Sequence, residues 1–201
     1  MGFEIRLTGE FIAEVTAPSA NMRMLPTRAE TTHVIGCNHG IQKTTEEDLL
    51  PIDGIAAIRT QRLHFNRLLD AVVTTAKLQF IGEEWGLPQP SAAQILSNQK
   101  GIPWANINTS LGDLDTMGIP RDYVHGCYDP AAKARWTQLR EEFMFRRIQQ
   151  SKGSARHLMV ICGFHHLQPL ARMLADIACE VQTVDYRALD WYRAGIFSDD
   201  E

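Results

Sequence analysis

Five short apolar runs punctuate the chain, at residues 32–37, 78–81, 102–107, 157–162 and 180–184. Runs of this length, closed by glycine or polar residues, predict strands buried on both faces. Between them the apolar spacing lengthens to that of a helix. From about Ile55 to Lys77, Ile58, Leu63, Phe65, Leu68, Leu69, Val72 and Val73 fall near every 3.6 residues, with Asp53 ahead of them as a cap. Ser91 caps a second helix through Ser97, ended near Gly101. Pro130 opens a third, to about Gln150, with Trp136, Leu139, Phe143, Met144 and Ile148 on its apolar face. A fourth runs from Leu167 to about Ala178. Strands alternating with helices predict an α/β fold: one domain, a largely parallel central sheet, and helices on both faces.

Three stretches depart from this alternation. In residues 1–21, Phe3, Ile5 and Leu7 alternate with polar residues and Glu10 to Val15 return as a second strand. They form either a hairpin ahead of a domain spanning residues 22–201 or a leader preceding Met22 or Met24. Residues 42–48 are polar and predict a loop or short helix. Residues 111–129 are rich in Gly, Pro and Asp with little periodicity, and predict a long loop of the kind that serves as a lid.

Composition narrows the class. The 201 residues are 44% hydrophobic and 22% charged, ordinary for a globular domain with one sizeable core. A net charge of −4 and the lack of a Lys/Arg block argue against nucleic acid. No apolar stretch approaches the ~18 residues that span a bilayer, and no signal-peptide pattern opens the chain. Cys37, Cys127, Cys162 and Cys179 form no CxxC pair and read as thiols in a reducing compartment, so a cytoplasmic protein is expected. No GxGxxG or GxxxxGK[ST] occurs, which argues against dinucleotide and P-loop chemistry. Trp191, Tyr192 and Phe197 near the C-terminus would either cover a sheet edge or seal a homodimer interface.

In open α/β sheets the ligand site lies beyond the carboxyl ends of the strands. The polar residues just past each apolar run therefore draft the site: His39; Glu83 and Glu84; Asn106 and Asn108; His165 and His166; Asp185. Two of these runs end alike, in Gly36-Cys37-Asn38-His39 and Gly163-Phe164-His165-His166. With 14 Gly and 7 His in 201 residues, chance gives about 0.5 Gly-x-x-His matches, so two directly after strands carry weight. The spacing selects His166 over His165. Each glycine would serve a positive φ or a close backbone approach. Alternation along the second run aims Glu83 and Glu84 oppositely, so one enters the cavity, with Glu83 preferred as the residue after Gly82.

Two imidazoles and a carboxylate suit a divalent metal with open positions, ligated by His39, Glu83 and His166, or metal-free general acid–base work on water. Arg140 would pair with a substrate carboxylate, a phosphate or the catalytic glutamate through its planar fork. Asn106 and Asn108 cap turns or touch substrate, and His125 and Asp129 would close the site from the long loop. His33, His64 and His157 read as structural or exposed, and Cys37 and Cys162 as packing residues.

The paired motifs resemble the two Gly-x-x-His motifs of the TraB/TIKI group, which is related to the erythromycin-esterase and ChaN-like proteins. Glu83-Glu84 matches the group's acidic residue. The segment Arg140-Glu141-Glu142-Phe143-Met144-Phe145-Arg146-Arg147-Ile148 resembles its helix with an arginine and an apolar stripe. The order His, Glu, Arg, His is the group's order, over roughly residues 32 to 184. The resemblance implies an α/β fold with a polar cavity at the strand ends and catalytic residues His39, Glu83 or Glu84, Arg140 and His166. It implies hydrolysis of a peptide or ester bond in a small-molecule or peptide substrate, with Mn, Co or Zn in the TIKI manner or without obligatory metal in the esterase manner. The alternative it implies is a module that binds haem or another small ligand without turnover, as in the ChaN branch.

Overall fold

The computed structural model describes residues 4–7, 13–16, 31–43, 52–126 and 128–192. The leader alternative at Met22 and Met24, the polar segment 44–48, Cys127 and Phe197 lie outside them. Strands β1 (Glu4–Leu7) and β2 (Ala13–Thr16) pair antiparallel, Ile5 opposite Val15, as a separate two-stranded sheet.

The main sheet has five parallel strands, β3 (Thr31–Cys37), β4 (Phe80–Glu83), β5 (Trp104–Asn106), β6 (His157–Gly163) and β7 (Glu180–Asp185), in the order β5-β4-β6-β3-β7. All five expected strands form, and the fold is α/β with helices on both faces. Helices α2 (Ile52–Ala76) and α3 (Ala92–Lys100) cover one face, packing Phe65, Leu69, Val72 and Ala93 on Ile35, Ile81, Met159 and Ile161. Helices α5 (Pro130–Ser151) and α6 (Phe164–Ala175) cover the other, packing Met144, Ile148, Leu170 and Leu174 on Val34, Phe80, Leu158 and Val160. Neighbouring strand positions thus serve opposite cores, which is why the strands are apolar throughout.

Three expectations need correction. Helix α2 begins at Ile52, so Asp53 lies in its first turn and not ahead of it. Helix α6 begins at Phe164, directly after β6, because its buried stripe of Leu167, Leu170, Ala171 and Leu174 starts in the turn after Gly163. The stretch read as a long loop contains helix α4 (Leu111–Met117), closed at its start by a capping box between Ser110 and Asp113 and at its end by left-handed Gly118. Its one buried residue, Leu114, packs with Ile119 and Tyr123 against Trp136 and Leu139 of α5. Trp191 and Tyr192 join Tyr186 and Phe164 in an aromatic cluster on the α2 side.

His33 stands apart. It is 1% exposed in the middle of β3, and neither ring nitrogen has a hydrogen-bond partner. Burial pushes its pKa down to about 4, with Glu180 opposing and His157 adding to the shift. The imidazole is therefore neutral in the fold.

Candidate functional site

Glu84 is the centre of the site. Strand β4 runs through Glu83, and the N–H of Glu84 still donates to the Ile161 carbonyl at 2.8 Å. Pleat alternation then sends the two carboxylates to opposite faces. Glu84 turns toward α5, where Arg140 Nη2 donates to its Oε1 at 2.9 Å, and the N–H of Gly163 donates to its Oε2 at 2.9 Å. Glu83 turns toward α3, where Ser91 Oγ and Trp104 Nε1 donate to its Oε2 and its Oε1 has no partner.

The sequence preference for Glu83 therefore reverses. Glu83 lies under the site, beneath α3, and Glu84 faces both motif histidines. Their electrostatics diverge as sharply as their directions. Burial raises Glu83 to about 7, its hydrogen bonds to Ser91 and Trp104 and the charge of His39 only partly offsetting it. Burial also pushes Glu84 upward, but His166, His39, Arg140 and the Gly163 amide outweigh it and hold Glu84 at about 2. Adjacent carboxylates whose environments drive them apart are a recurrent property of functional sites.

Around Glu84 the two motifs converge. His39 is the first residue of the short helix α1 (His39–Gln42), with Asn38 as its cap. His166 lies in the first turn of α6. Each Nε2 lies 3.8 Å from Glu84 Oε1. That gap is too wide for a direct hydrogen bond and suits a bridging group. Each Nδ1 is held from behind, at 3.0 Å in both cases: His39 by Gln42 Oε1 and His166 by Glu141 Oε1. A carboxylate only accepts, so His166 carries its proton on Nδ1 and turns Nε2 to the cleft. His165 is exposed on the rim.

Arg140 is inward, as one of the expected roles required. Its fork is committed to Glu84, to Asn108 Oδ1 at 3.1 Å, to Thr109 Oγ1 at 3.2 Å and to the Tyr123 hydroxyl. It serves the glutamate, the third of its three expected partners. Burial opposes its charge, but Glu84 and Tyr123 hold its pKa above the ordinary guanidinium value.

A cleft of about 360 Å³ opens over this cluster, within the range that takes a small ligand. Leu87, Val124, His125 and His165 line it beside the buried set. Of the other candidates, Asn108 joins the site through Arg140. Asn106 pins the Trp85 backbone, Asp129 caps α5, and Asp185 pairs with Arg187. Cys37 and Cys162 are fully buried, and burial raises both thiols well above their ordinary value, as packing residues require.

Glu141, Tyr123 and Thr109 complete the cluster unannounced by the sequence. Glu141 had one signal, its place beside Arg140. On a helix that buries Met144 and Ile148, Glu141 shares the inward stripe.

The donor types around Glu84 are those a divalent cation takes. Both Glu84 oxygens already accept hydrogen bonds, one from a guanidinium, and a cation would have to sit beside that charge. The expected ligand Glu83 points elsewhere. Among the described residues no group of three or more His, Cys, Asp or Glu is arranged to hold a metal ion. No helix among the described residues is long and apolar enough to cross a membrane.

No family model, no curated protein and no solved structure matches the chain.

Proposed function

We propose that the chain is a hydrolase that splits an ester or amide bond with water activated by its own histidines, in the manner of the esterase-like proteins its motifs resemble. The observation that carries this is the pair of imidazole Nε2 atoms, each 3.8 Å from the oxygen of one ionised, buried carboxylate beneath a cleft.

In this reading a water donates one hydrogen to His39 Nε2 and the other to Glu84. Gln42, bonded to His39 Nδ1, keeps the ring turned toward that water. As the water oxygen bonds to the substrate carbonyl carbon, its proton passes to His39 Nε2 and an oxyanion forms. Collapse of that intermediate breaks the bond to the leaving alcohol or amine, which takes a proton from an imidazolium. His166, backed by Glu141 and facing Glu84, donates that proton from Nε2 when it carries one on each ring nitrogen, and exchange with solvent then removes the proton from His39 and returns one to His166. His166, His39 and Arg140 together keep Glu84 ionised, and Arg140 holds it in place, so it accepts from water across the working pH range.

The test is turnover on a panel of p-nitrophenyl esters and amino-acid p-nitroanilides, with His39→Ala and His166→Ala beside wild type. Loss of the base or acid costs about 10²–10⁴ in kcat. Undiminished turnover in both variants, with the fold intact, removes the reading. Haemin titration on the same proteins separates turnover from binding: a Soret band abolished by His39→Ala marks a haem-binding module instead.

A further inference from the structure

We propose that Gly163 is a positioning residue that acts through the side chain it lacks: its bare α-carbon keeps open the seat of the attacking water between Glu84, His39 and His166. The inference rests on the hydrolase reading and gives that reading a location.

A β-carbon on Gly163 would lie 3.6 Å from Glu84 Oε2, 3.6 Å from His39 Nε2 and 3.8 Å from His166 Cδ2. It would enter the space that the carboxylate and both imidazoles enclose. A water bonded to His39 Nε2 and to Glu84 needs about 2.8–3.0 Å from each. A methyl group 3.6 Å from the same imidazole and carboxylate would crowd a water seated on its side of them.

Other reasons for a glycine fail at this position. Its backbone, φ −60° and ψ 152°, is open to any L residue. Its N–H, which holds Glu84 Oε2, is one that any residue but proline supplies. Nor is the chain tightly packed here, since all three separations are ordinary van der Waals contacts. Gly36 shows what a packing glycine looks like in the same molecule. A β-carbon there would meet Leu167 Cβ at 2.9 Å and its Cδ2 at 3.0 Å, closer than real side chains come. Gly36 lets α6 approach the sheet; Gly163 leaves a hole where the chemistry is placed.

Gly163→Ala is consequently a steric probe that the fold tolerates. The variant is expected to unfold at the same urea concentration as wild type. On a p-nitrophenyl ester hydrolysed by wild type, kcat should fall at least about 100-fold, the span of one general-base contribution, with KM little changed. A high-resolution crystal structure of wild type should show a water bonded to His39 Nε2 and Glu84, and that of Gly163→Ala should lack it. The water is read without turnover, so the two proposals fail separately. If wild type cleaves no ester or amide yet the methyl displaces the water, the seat stands and the hydrolase reading falls. If His39→Ala abolishes turnover while Gly163→Ala retains wild-type kcat, the seat is wrong. A Gly163→Ala protein that unfolds, or a wild-type structure with no such water, also overturns it.

Discussion

In the first Gly-x-x-His motif the glycine lies inside β3 and the histidine opens a helix; in the second the glycine itself caps the helix and the histidine sits in its first turn. Strand register shows the offset. Cys37, not Gly36, lies opposite Gly163, and Gly36 lies opposite Cys162. Equal spacing in sequence is thus unequal placement in space. The imidazoles meet because the offset carries them to either side of Glu84, and the glycines do different work, one for packing and one for the cavity.

The histidines are where the motifs should be equivalent, and there the largest effects fall. Truncating either one is expected to lower kcat by about 10²–10⁴ while far-UV circular dichroism stays unchanged. A loss confined to one motif would break the symmetry of the site.

Next come two ionisable groups buried on the same face, one on the first motif's strand and one on the strand beside the second. His33 has its folded pKa lowered from 6.5 to about 4. The unfolded chain therefore binds a proton, as pH falls from 6.5 toward 4, that the native state refuses. Stability is full above 6.5 and drops by about 3 kcal/mol on that descent. His33→Leu should abolish this slope in urea titrations at stepped pH. Glu83 has the opposite sign, raised from 4.5 to about 7. Its contribution is full below 4.5 and falls by about 3 kcal/mol as pH rises through 7. Glu83→Gln should flatten that limb, and a variant that leaves both limbs unchanged would show these two environments to be misjudged.

The glycines give the sharper contrast at smaller scale. Gly36→Ala forces Leu167 to shift and should cost about 1–3 kcal/mol in urea unfolding. Leu167→Ala in the same background should recover only the part due to Cγ and Cδ2, since the 2.9 Å contact is with a β-carbon that alanine keeps. Gly163→Ala should stay within about 0.5 kcal/mol of wild type. Equal costs at both glycines would erase the distinction drawn between them.

Much of this was legible in the sequence for a physical reason. The apolar runs are strands because both faces are buried, and ligand groups gather where such strands end, so His39, His166, Arg140 and a glutamate could be drafted without coordinates. Glu83 against Glu84 could not be decided, because the answer depends on β4 running to Glu83, two residues past the apolar run. Alternation predicted that the two diverge but not which way. Helix α4 hid in a stretch of Gly, Pro and Asp because seven residues with one buried side chain leave almost no periodicity; only its capping box was there to read. Glu141 was hidden by the opposite effect. A charge on a long helix normally faces solvent, and only the fold shows that this one meets His166.

The most direct test of the account is the steady-state rate of the full chain on a chromogenic ester, measured for wild type and for His39→Ala/His166→Ala together. The double variant is expected to lose no more than one additional decade beyond the worse single variant, because both histidines act on one water and one intermediate. Losses that multiply as for independent sites, or a double variant as active as wild type, would contradict a single shared site at Glu84.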